Sequence, residues 1–275
     1  MAHILAVSSH VAYGHVGLSA AVPVLHALGH EVLAVPTAVL SSHNGYAIVG
    51  GGPLSPAHLN SILAALADNG WLETVDAVLS GYLPHAEHVA VLAAHLSPLR
   101  ARRPSLLVMC DPVIGDDPRG LYLAAPTAAA IRDQLLPLAD ILTPNRFELA
   151  WLARSDVADA RSAAAAAHRL GRPAVLATSV PAGDGQLANV LVHADRCLVT
   201  TTARHREVPS GTGDLLASLV LGHRLAGRGL ADALAHATAA AQAVIAASLD
   251  TGELRLLAAL GPAMAALPAP IEELG

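Results

Sequence analysis

The chain alternates short apolar runs with longer stretches rich in alanine and leucine. The short runs stay apolar throughout: HILAVSS (3–9), EVLAVPT (31–37), VDAVLSG (75–81), SLLVMCDP (105–112), ADILTPN (139–145) and PAVLATS (173–179). Continuous apolar strands are typical of a sheet buried on both faces. Because a candidate helix follows each run, the pattern predicts an α/β fold whose mostly parallel central sheet lies between two layers of helices.

The pattern changes after about residue 186. Two adjacent strand candidates, LANVLVH (187–193) and CLVTTTA (197–203), are separated only by ADR and predict an antiparallel hairpin. Helical spacing returns from Leu215 onward and continues through 230–249. We interpret the glycine-rich stretch 50–53 as a mobile loop ahead of a helix that starts at Ser55-Pro56, and the acidic end 271–275 as a frayed tail. No internal repeat or linker is visible, so one domain over 1–275 is expected.

Composition excludes several classes of protein. The chain has 275 residues, 53% hydrophobic and 14% charged, which is typical of a globular protein with a large core. The net charge of -6 and the lack of a basic cluster denser than Arg100, Arg102 and Arg103 argue against a nucleic-acid partner. Neither a signal peptide nor a membrane segment is recognisable, so we expect a cytoplasmic protein without a membrane partner. All 16 basic residues are arginine, which excludes a P-loop, since that motif requires lysine.

Hydrogen-bonding residues follow nearly every predicted parallel strand. In open α/β sheets, ligands bind beyond the carboxyl ends of the strands. The polar positions at those ends predict one crevice along a single edge of the sheet; they are Ser8 to His10, Ser41 to Tyr46, Ser80 to Tyr82, Asp111, Thr143, Asn145, Thr178 and Ser179.

The segment SGTGD (210–214) stands at the start of a strongly apolar helix. Gly211, Thr212 and Gly213 leave backbone N–H groups free to point at one anion, and the helix dipole favours negative charge there. An aspartate beside that anion is suited to accept a proton from the group that attacks it. The alternative interpretation of Asp214 is structural, because aspartate is favoured in a first helical turn anyway.

Two further segments carry candidate ligands for a nucleotide and its metal. CDPVIGDD places Asp111 after an apolar strand and Asp116 after a glycine turn, which suits Mg²⁺ beside bound phosphates; a solvated turn is the alternative. LTPNRFE offers Thr143, Asn145 and Glu148, although a helix opened by Pro144 and capped by Asn145 would explain that segment alone.

Taken together and in order, seven segments resemble the ribokinase-like superfamily and, within it, the pyridoxal kinase family. The resemblance runs nearly end to end. SSHVAYGHVG resembles that family's amino-terminal substrate strand, LSSHNGY its pyridoxal loop, VLSGYL its third strand end and CDPVIGD its acidic segment. LTPNRFE resembles its nucleotide-side segment, Thr178-Ser179 its phosphate-contacting pair, and SGTGD its anion hole with the catalytic aspartate.

The resemblance implies ATP-dependent phosphorylation of the 5′-hydroxyl of pyridoxal. Asp214 would be the base, with Gly211, Thr212 and Gly213 as the anion hole. Ser9 would bond the pyridine ring in a pocket shaped by Val16, Leu40, His43, Asn44 and Tyr82. The ATP side would comprise Asp111, Asp116, Tyr122 on a flap, Thr143, Asn145, Glu148, Thr178 and Ser179, with Mg²⁺ held by Asp111, Asp116 and Glu148. Kinship also implies a homodimer and activation by a monovalent cation such as K⁺.

Two departures from the family pattern leave the acceptor open. The pyridoxal loop carries Asn44 where the family commonly has threonine, and Leu18 replaces an asparagine. Three functions therefore stand side by side: a vitamin B6 kinase, a kinase of hydroxymethylpyrimidine or another small alcohol, and a vitamer-binding protein without turnover. The pyrimidine kinases usually have cysteine at the position of Asp214, which counts against the second.

Overall fold

A computed structural model describes residues 1–274. The strands are β1 (His3–Val11), β2 (Glu31–Leu40), β3 (Gly51–Pro53), β4 (Ala77–Ser80), β5 (Leu107–Cys110), β6 (Gly115–Asp116), β7 (Gly120–Leu121), β8 (Ile141–Leu142), β9 (Ala174–Pro181), β10 (Gln186–His193), β11 (Arg196–Ala203) and β12 (Glu272–Glu273). The α-helices are α1 (Leu18–Ala27), α2 (Pro56–Asp68), α3 (Ala86–Arg102), α4 (Ala125–Ala130), α5 (Arg146–Ala153), α6 (Ala160–Arg169), α7 (Thr212–Leu225), α8 (Leu230–Ala246) and α9 (Leu256–Ala263).

One large sheet organises the chain, in the strand order β12-β11-β10-β9-β8-β5-β4-β1-β2-β3. The six strands from β9 to β2 in that order run parallel, whereas β10, β11 and β12 at one side and β3 at the other pair antiparallel. The predicted mostly parallel sheet and the predicted hairpin of β10 and β11 are confirmed.

Two apolar cores cover the two faces of this sheet. Leu59, Leu63 and Leu92, on α2 and α3, pack against one face, and α4 to α6 continue the same layer. Residues of α1, α7, α8 and α9 pack against the other face, where the side chains of Ile4 and Met109 point. The helices on both faces explain why the parallel strands are apolar throughout, since both of their sides lose contact with water.

Two segments differ from their sequence-based predictions. The stretch 50–53 is not simply a loop, because Gly51–Pro53 forms β3 and pairs with the end of β2. The acidic end is not frayed over the described residues, because Glu272 and Glu273 pair with β11 and Glu273 bonds Arg196. Both are edge strands of only two or three residues, too short for local composition to reveal, and β12 pairs with a strand about 75 positions away. The predicted helix start at Ser55-Pro56 is confirmed, with the Ser55 side chain accepting from the backbone of α2.

Within residues 1–274, no helix has both the length and the apolar character that crossing a membrane requires.

Candidate functional site

The carboxyl ends of the central parallel strands meet the beginning of α7 at one edge of the sheet. A small cavity there is lined by residues from β1, the start of α1, the end of β4, the residue after β5, and α7; they include Ser8, Gly17, Gly81, Asp111, Asp214 and Ser218. Asp111 and Asp214 are separated by about a hundred positions in the chain, and the fold brings them to one cavity. This cavity lies at the predicted edge of the sheet, but its lining does not extend to residues 41–46, 143–145 or 178–179.

The turn before α7 has a backbone that only glycine fits. Gly211 has φ of 96°, in the left-handed region, and a Cβ on it would overlap the carbonyl oxygen of His15. Thr212 is the first residue of α7, and the Leu215 N–H donates to the Gly211 carbonyl, which makes the first hydrogen bond of the helix. The N–H groups of residues 212–214 therefore have no acceptor within the helix, which makes this turn suited to an anion.

Asp214 stands in the first turn of α7. Burial raises the pKa of its carboxyl to about 6, although the backbone N–H groups of Gly17 and of Asp214 itself favour the charged form and oppose the shift. The backbone carbonyl oxygen of Asp214 accepts from the hydroxyl of the fully buried Ser218 at 2.7 Å, and this bond stabilises the first turn of α7. A carboxyl with a pKa of about 6 is a base of useful strength near neutral pH.

Gly17 lines the amino-terminal side of the cavity, and Ser9 packs against Gly17. Ser9 is 7% exposed, and a Cβ on Gly17 would come within 2.6 Å of the Ser9 hydroxyl oxygen. Gly17 has φ of 55°, so the absence of a side chain is required there both by backbone conformation and by space. The end of β1 and the start of α1 can thus pack directly beside Asp214.

Asp111 follows β5 and lies between the two other acidic centres. Its pKa is raised well above the ordinary value, first by burial and then by the negative charges of Glu148 and Asp214. The buried carboxyls of Asp111 and Glu148 and the half-buried carboxyl of Asp214 repel one another, and a cation would relieve that repulsion.

Glu148 connects the start of α5 to the segment after β5. Asn145 caps α5 and forms a reciprocal capping box with Glu148, as the sequence predicts, while Pro144 precedes the cap. Glu148 Oε1 accepts from Ile114 N at 2.7 Å, and Oε2 accepts from Asn145 N at 3.0 Å. Burial raises the pKa of Glu148 to about 7 against the opposing effect of these backbone donors.

The segment after β5 carries the remaining acidic candidate. The short hairpin of β6 and β7 presents Asp116, whose Oδ1 is buried without a hydrogen-bond partner among the described residues. Thr143 Oγ1 is buried in the same unpartnered state. Tyr122 follows the hairpin, 45% exposed, and its pKa is raised by burial and by the carboxyl of Asp116.

These donors fit a magnesium ion that is shared with a nucleotide. Within residues 1–274, no group of three or more His, Cys, Asp and Glu side chains is placed to hold a metal by itself, so the predicted trio of Asp111, Asp116 and Glu148 is not a closed metal site. Mg²⁺ ordinarily takes only one or two carboxylates and fills its remaining positions with phosphate oxygens and water. The unpartnered Asp116 oxygen and the crowded charge at Asp111 agree with such an open site.

The predicted phosphate-contacting pair adjoins the cap of α5. Thr178 forms an isolated parallel bridge with Asn145, and its N–H donates to the Pro144 carbonyl at 2.9 Å. Ser179 is exposed and has φ of 57°, a strained conformation for a residue with a side chain. Strain of this kind is found at functional turns.

The residues predicted to shape the acceptor pocket lie around the ends of β1, β2 and β4, and none of them lines the cavity that contains Asp214. Leu40 ends β2, Val16 precedes the Gly17 turn, and Tyr82 follows β4, where its N–H donates to the Ser8 hydroxyl at 3.0 Å. His43 is half-buried and Asn44 is exposed, both in the loop after β2.

Sequence reasoning missed one residue near this pocket. Glu253 lies between α8 and α9 and contacts the side chains of His43 and Tyr46. It follows a glycine in an ordinary turn, T-G-E, and a lone glutamate there carries no pattern that could have identified it.

The site combines a Gly-rich turn at a helix start, an aspartate with a raised pKa and an open acidic site. It lies at the edge of a parallel sheet between two helical layers. These features define a small-molecule kinase of the ribokinase-like fold. The comparisons agree. A family model described as phosphomethylpyrimidine kinase matches residues 13–257, and the chain belongs to this family.

Named relatives and solved structures extend the likeness. The chain is 39% identical over 267 residues to a pyridoxal kinase, PdxY, of Rubrobacter xylanophilus, covering 94% of this chain and 92% of that one. It is also 39% identical over 233 residues to a pyridoxine/pyridoxal/pyridoxamine kinase of Bordetella avium, covering 82% and 79%. The pyridoxal kinase of Leishmania donovani, solved with ADP and pyridoxamine, superposes with a TM-score of 0.94 at 29% identity over the full length of both chains.

Proposed function

We propose that this kinase transfers the γ-phosphate of ATP to the 5′-hydroxymethyl group of pyridoxal, and of pyridoxine and pyridoxamine, giving the vitamer 5′-phosphate and ADP. The observation that carries the proposal is the Asp214 carboxyl, whose raised pKa is about 6, beside the Gly211 turn and on the same cavity as Asp111. Relatives named as kinases of these vitamers support the choice of acceptor.

Asp214 acts as the general base. Its carboxylate accepts the hydroxyl proton as the acceptor oxygen forms a bond to the γ-phosphorus, and the bond from that phosphorus to the β–γ bridging oxygen breaks, releasing ADP. The N–H groups of Gly211, Thr212 and Gly213 would stabilise the negative charge of the transferring group, because a helix start leaves them without acceptors within the helix.

The nucleotide side uses the acidic and hydroxyl groups around α5. Asp111, Asp116 and Glu148 would hold Mg²⁺, which supplies charge neutralisation for the phosphates when bound. Thr143, Asn145, Thr178 and Ser179 would contact the nucleotide, with Tyr122 over the site; they lie together around the start of α5 and the β6–β7 hairpin. We also infer activation by a monovalent cation such as K⁺.

The acceptor side belongs to the first 82 residues. Ser9 would bond the pyridine ring beside Asp214, and the half-buried Val16, Leu40, His43 and Tyr82 would shape the pocket, with Asn44 at its mouth. We infer further that one domain carries both halves of the site and that the chain assembles as a homodimer.

The test compares wild type with Asp214→Ala and with Asp232→Ala, a matched control that removes an aspartate from the first turn of α8. Product is measured by chromatography and mass after incubation with Mg-ATP and pyridoxal, with hydroxymethylpyrimidine as a parallel acceptor. We expect wild type and the control to convert pyridoxal, and Asp214→Ala to lose about a hundredfold or more in rate.

Two results would contradict the proposal. Turnover of the pyrimidine alone would make the pyrimidine the acceptor. Binding of pyridoxal by wild type without any phosphate ester would make the chain a binding protein.

A further inference from the structure

Glu253 joins the carboxyl-terminal part of the chain to the loop after β2. Its Oε1 accepts from the Tyr46 hydroxyl at 2.7 Å and lies 3.1 Å from His43 Nε2. The side chains of Glu253 and His43 are 13% and 18% exposed, so water competes little for the bond between them, whereas Tyr46 is exposed. The bond to Glu253 raises the pKa of Tyr46 to about 12, which keeps that hydroxyl a donor at all working pH values.

Both ring nitrogens of His43 are occupied within the protein. Nδ1 accepts from the Gly45 N–H at 3.0 Å, so the ring proton is on Nε2 and is donated to Glu253. The ring of His43 also packs against that of Tyr46, with centroids 4.8 Å apart. The polar atoms of His43 therefore fix the loop and are not free for a ligand, so His43 can contribute to a pocket only through its ring surface.

The opposite side of Glu253 meets the loop before α1. Gly14 has φ of 92°, and a Cβ on it would overlap the Glu253 carboxyl, whose Oε2 is buried without a partner among the described residues. Tyr46 packs edge to face on Tyr13 at 5.9 Å, so the two loops touch on both sides of the carboxyl. The carboxyl thus lies at the seam between residues 12–15 and residues 43–46.

The neighbouring residue reaches the anion-binding turn. Leu254 is 2% exposed, and its side chain is within 3.3 Å of the position of a Cβ on Gly211. Ser248 and Thr251 brace this segment, because Thr251 Oγ1 contacts the carbonyl oxygens of Ser248 and Glu253 at 2.9 and 2.6 Å. One short braced segment therefore touches the acceptor loop with Glu253 and the glycine turn with Leu254.

We propose that Glu253 is a positioning residue that holds the acceptor loop, residues 41–50, against residues 12–15 and thereby sets the affinity for the alcohol that is phosphorylated. The role of this loop in acceptor binding rests on the proposed function. Glu253 acts through His43 and Tyr46 and takes no part in proton transfer. Its removal therefore changes the KM for the acceptor and leaves the chemical step intact.

The test uses Glu253→Ala, Glu253→Gln and Tyr46→Phe in the full chain. The control is Glu273→Ala, which removes a glutamate from an exposed ion pair with Arg196. In Glu253→Ala we expect the KM for pyridoxal to rise about tenfold, with kcat and the KM for ATP within about twofold of wild type. Glu253→Gln keeps a carbonyl oxygen that accepts both bonds, so it should retain most of the affinity for pyridoxal. The double variant Glu253→Ala, Tyr46→Phe should have the same KM for pyridoxal as Glu253→Ala alone.

Hydrogen exchange provides a readout that needs no turnover. Amides of residues 41–50 should exchange about tenfold faster in Glu253→Ala and at the wild-type rate in Glu253→Gln and in the control. Unchanged exchange in Glu253→Ala overturns the proposal, and so does a fall in kcat without a change in acceptor KM. If wild type fails on pyridoxal, the proposed function falls by itself, and the exchange rates still decide the role of Glu253.

Discussion

Lowering the pH should slow this kinase well above the pH at which an ordinary aspartate would be protonated. The group responsible is Asp214, whose pKa is raised by burial from 3.8 to about 6. Only the ionised carboxyl can accept the proton of the attacking hydroxyl. The rate of the chemical step should therefore follow the ionised fraction, rising with pH through about 6 and levelling off above it.

The size of the effect distinguishes the shifted pKa from an ordinary one. With a pKa of about 6, about nine-tenths of Asp214 is ionised at pH 7 and about one-tenth at pH 5, so the rate should fall about tenfold. With the ordinary value of 3.8, the loss over the same interval would be only about 6%.

The assay follows kcat for pyridoxal phosphorylation from pH 5 to pH 8, with Mg-ATP kept saturating at each pH and product measured by chromatography, which avoids coupling enzymes. Asp214→Asn serves as the control, because it keeps the shape of the side chain and cannot accept the proton. Its small residual rate should lack the acid limb. A wild-type rate that stays flat to pH 5, or an acid limb that survives in Asp214→Asn, would refute the assignment of the base.

Two further predictions concern the backbone around the site. Gly211→Ala should lower kcat about a hundredfold or more, because the added Cβ would overlap the carbonyl oxygen of His15. The control is Gly227→Ala, which has a similar φ of 94° but whose Cβ would meet nothing within 4 Å, so it should keep wild-type kcat. Equal losses of kcat in steady-state assays would show that φ strain alone matters. Glu148→Gln should destabilise the fold by about 1–3 kcal/mol and raise the KM for ATP, since the NH₂ group of the new amide would face a backbone N–H donor. Denaturant titration measures the stability, and ATP saturation curves measure the KM. An unchanged midpoint of denaturant unfolding would contradict this account of Glu148.

Much of the fold could be predicted because its causes are local. The apolar runs specify buried parallel strands, and Asn145 followed three residues later by Glu148 predicts the helix cap that the structure contains. The place of Asp111 at this edge was also predictable, since the carboxyl ends of parallel strands share one edge, whereas Asp214 was placed in the site by the family resemblance. These inferences needed only periodicity and the geometry of a doubly covered sheet.

The rest depended on contacts that no short window of sequence contains. The pairing of β12 with β11 joins residues about 75 positions apart, and neither partner has a distinctive composition. Glu253 reaches His43 across 210 positions. The position of Asp116 beside the open acidic site likewise depends on how the β6–β7 hairpin packs against α5, which is a matter of tertiary packing.

The two short strands that were not predicted bear on how copies of this chain can meet. β12 covers Leu198 and Val199 of β11, and β3 covers the last residues of β2, so both borders of the large sheet end in antiparallel strands of only two or three residues. β3 carries a proline and β12 two glutamates, residues that discourage a further strand from adding. The pairing of one sheet with the edge of another is thereby disfavoured at both borders.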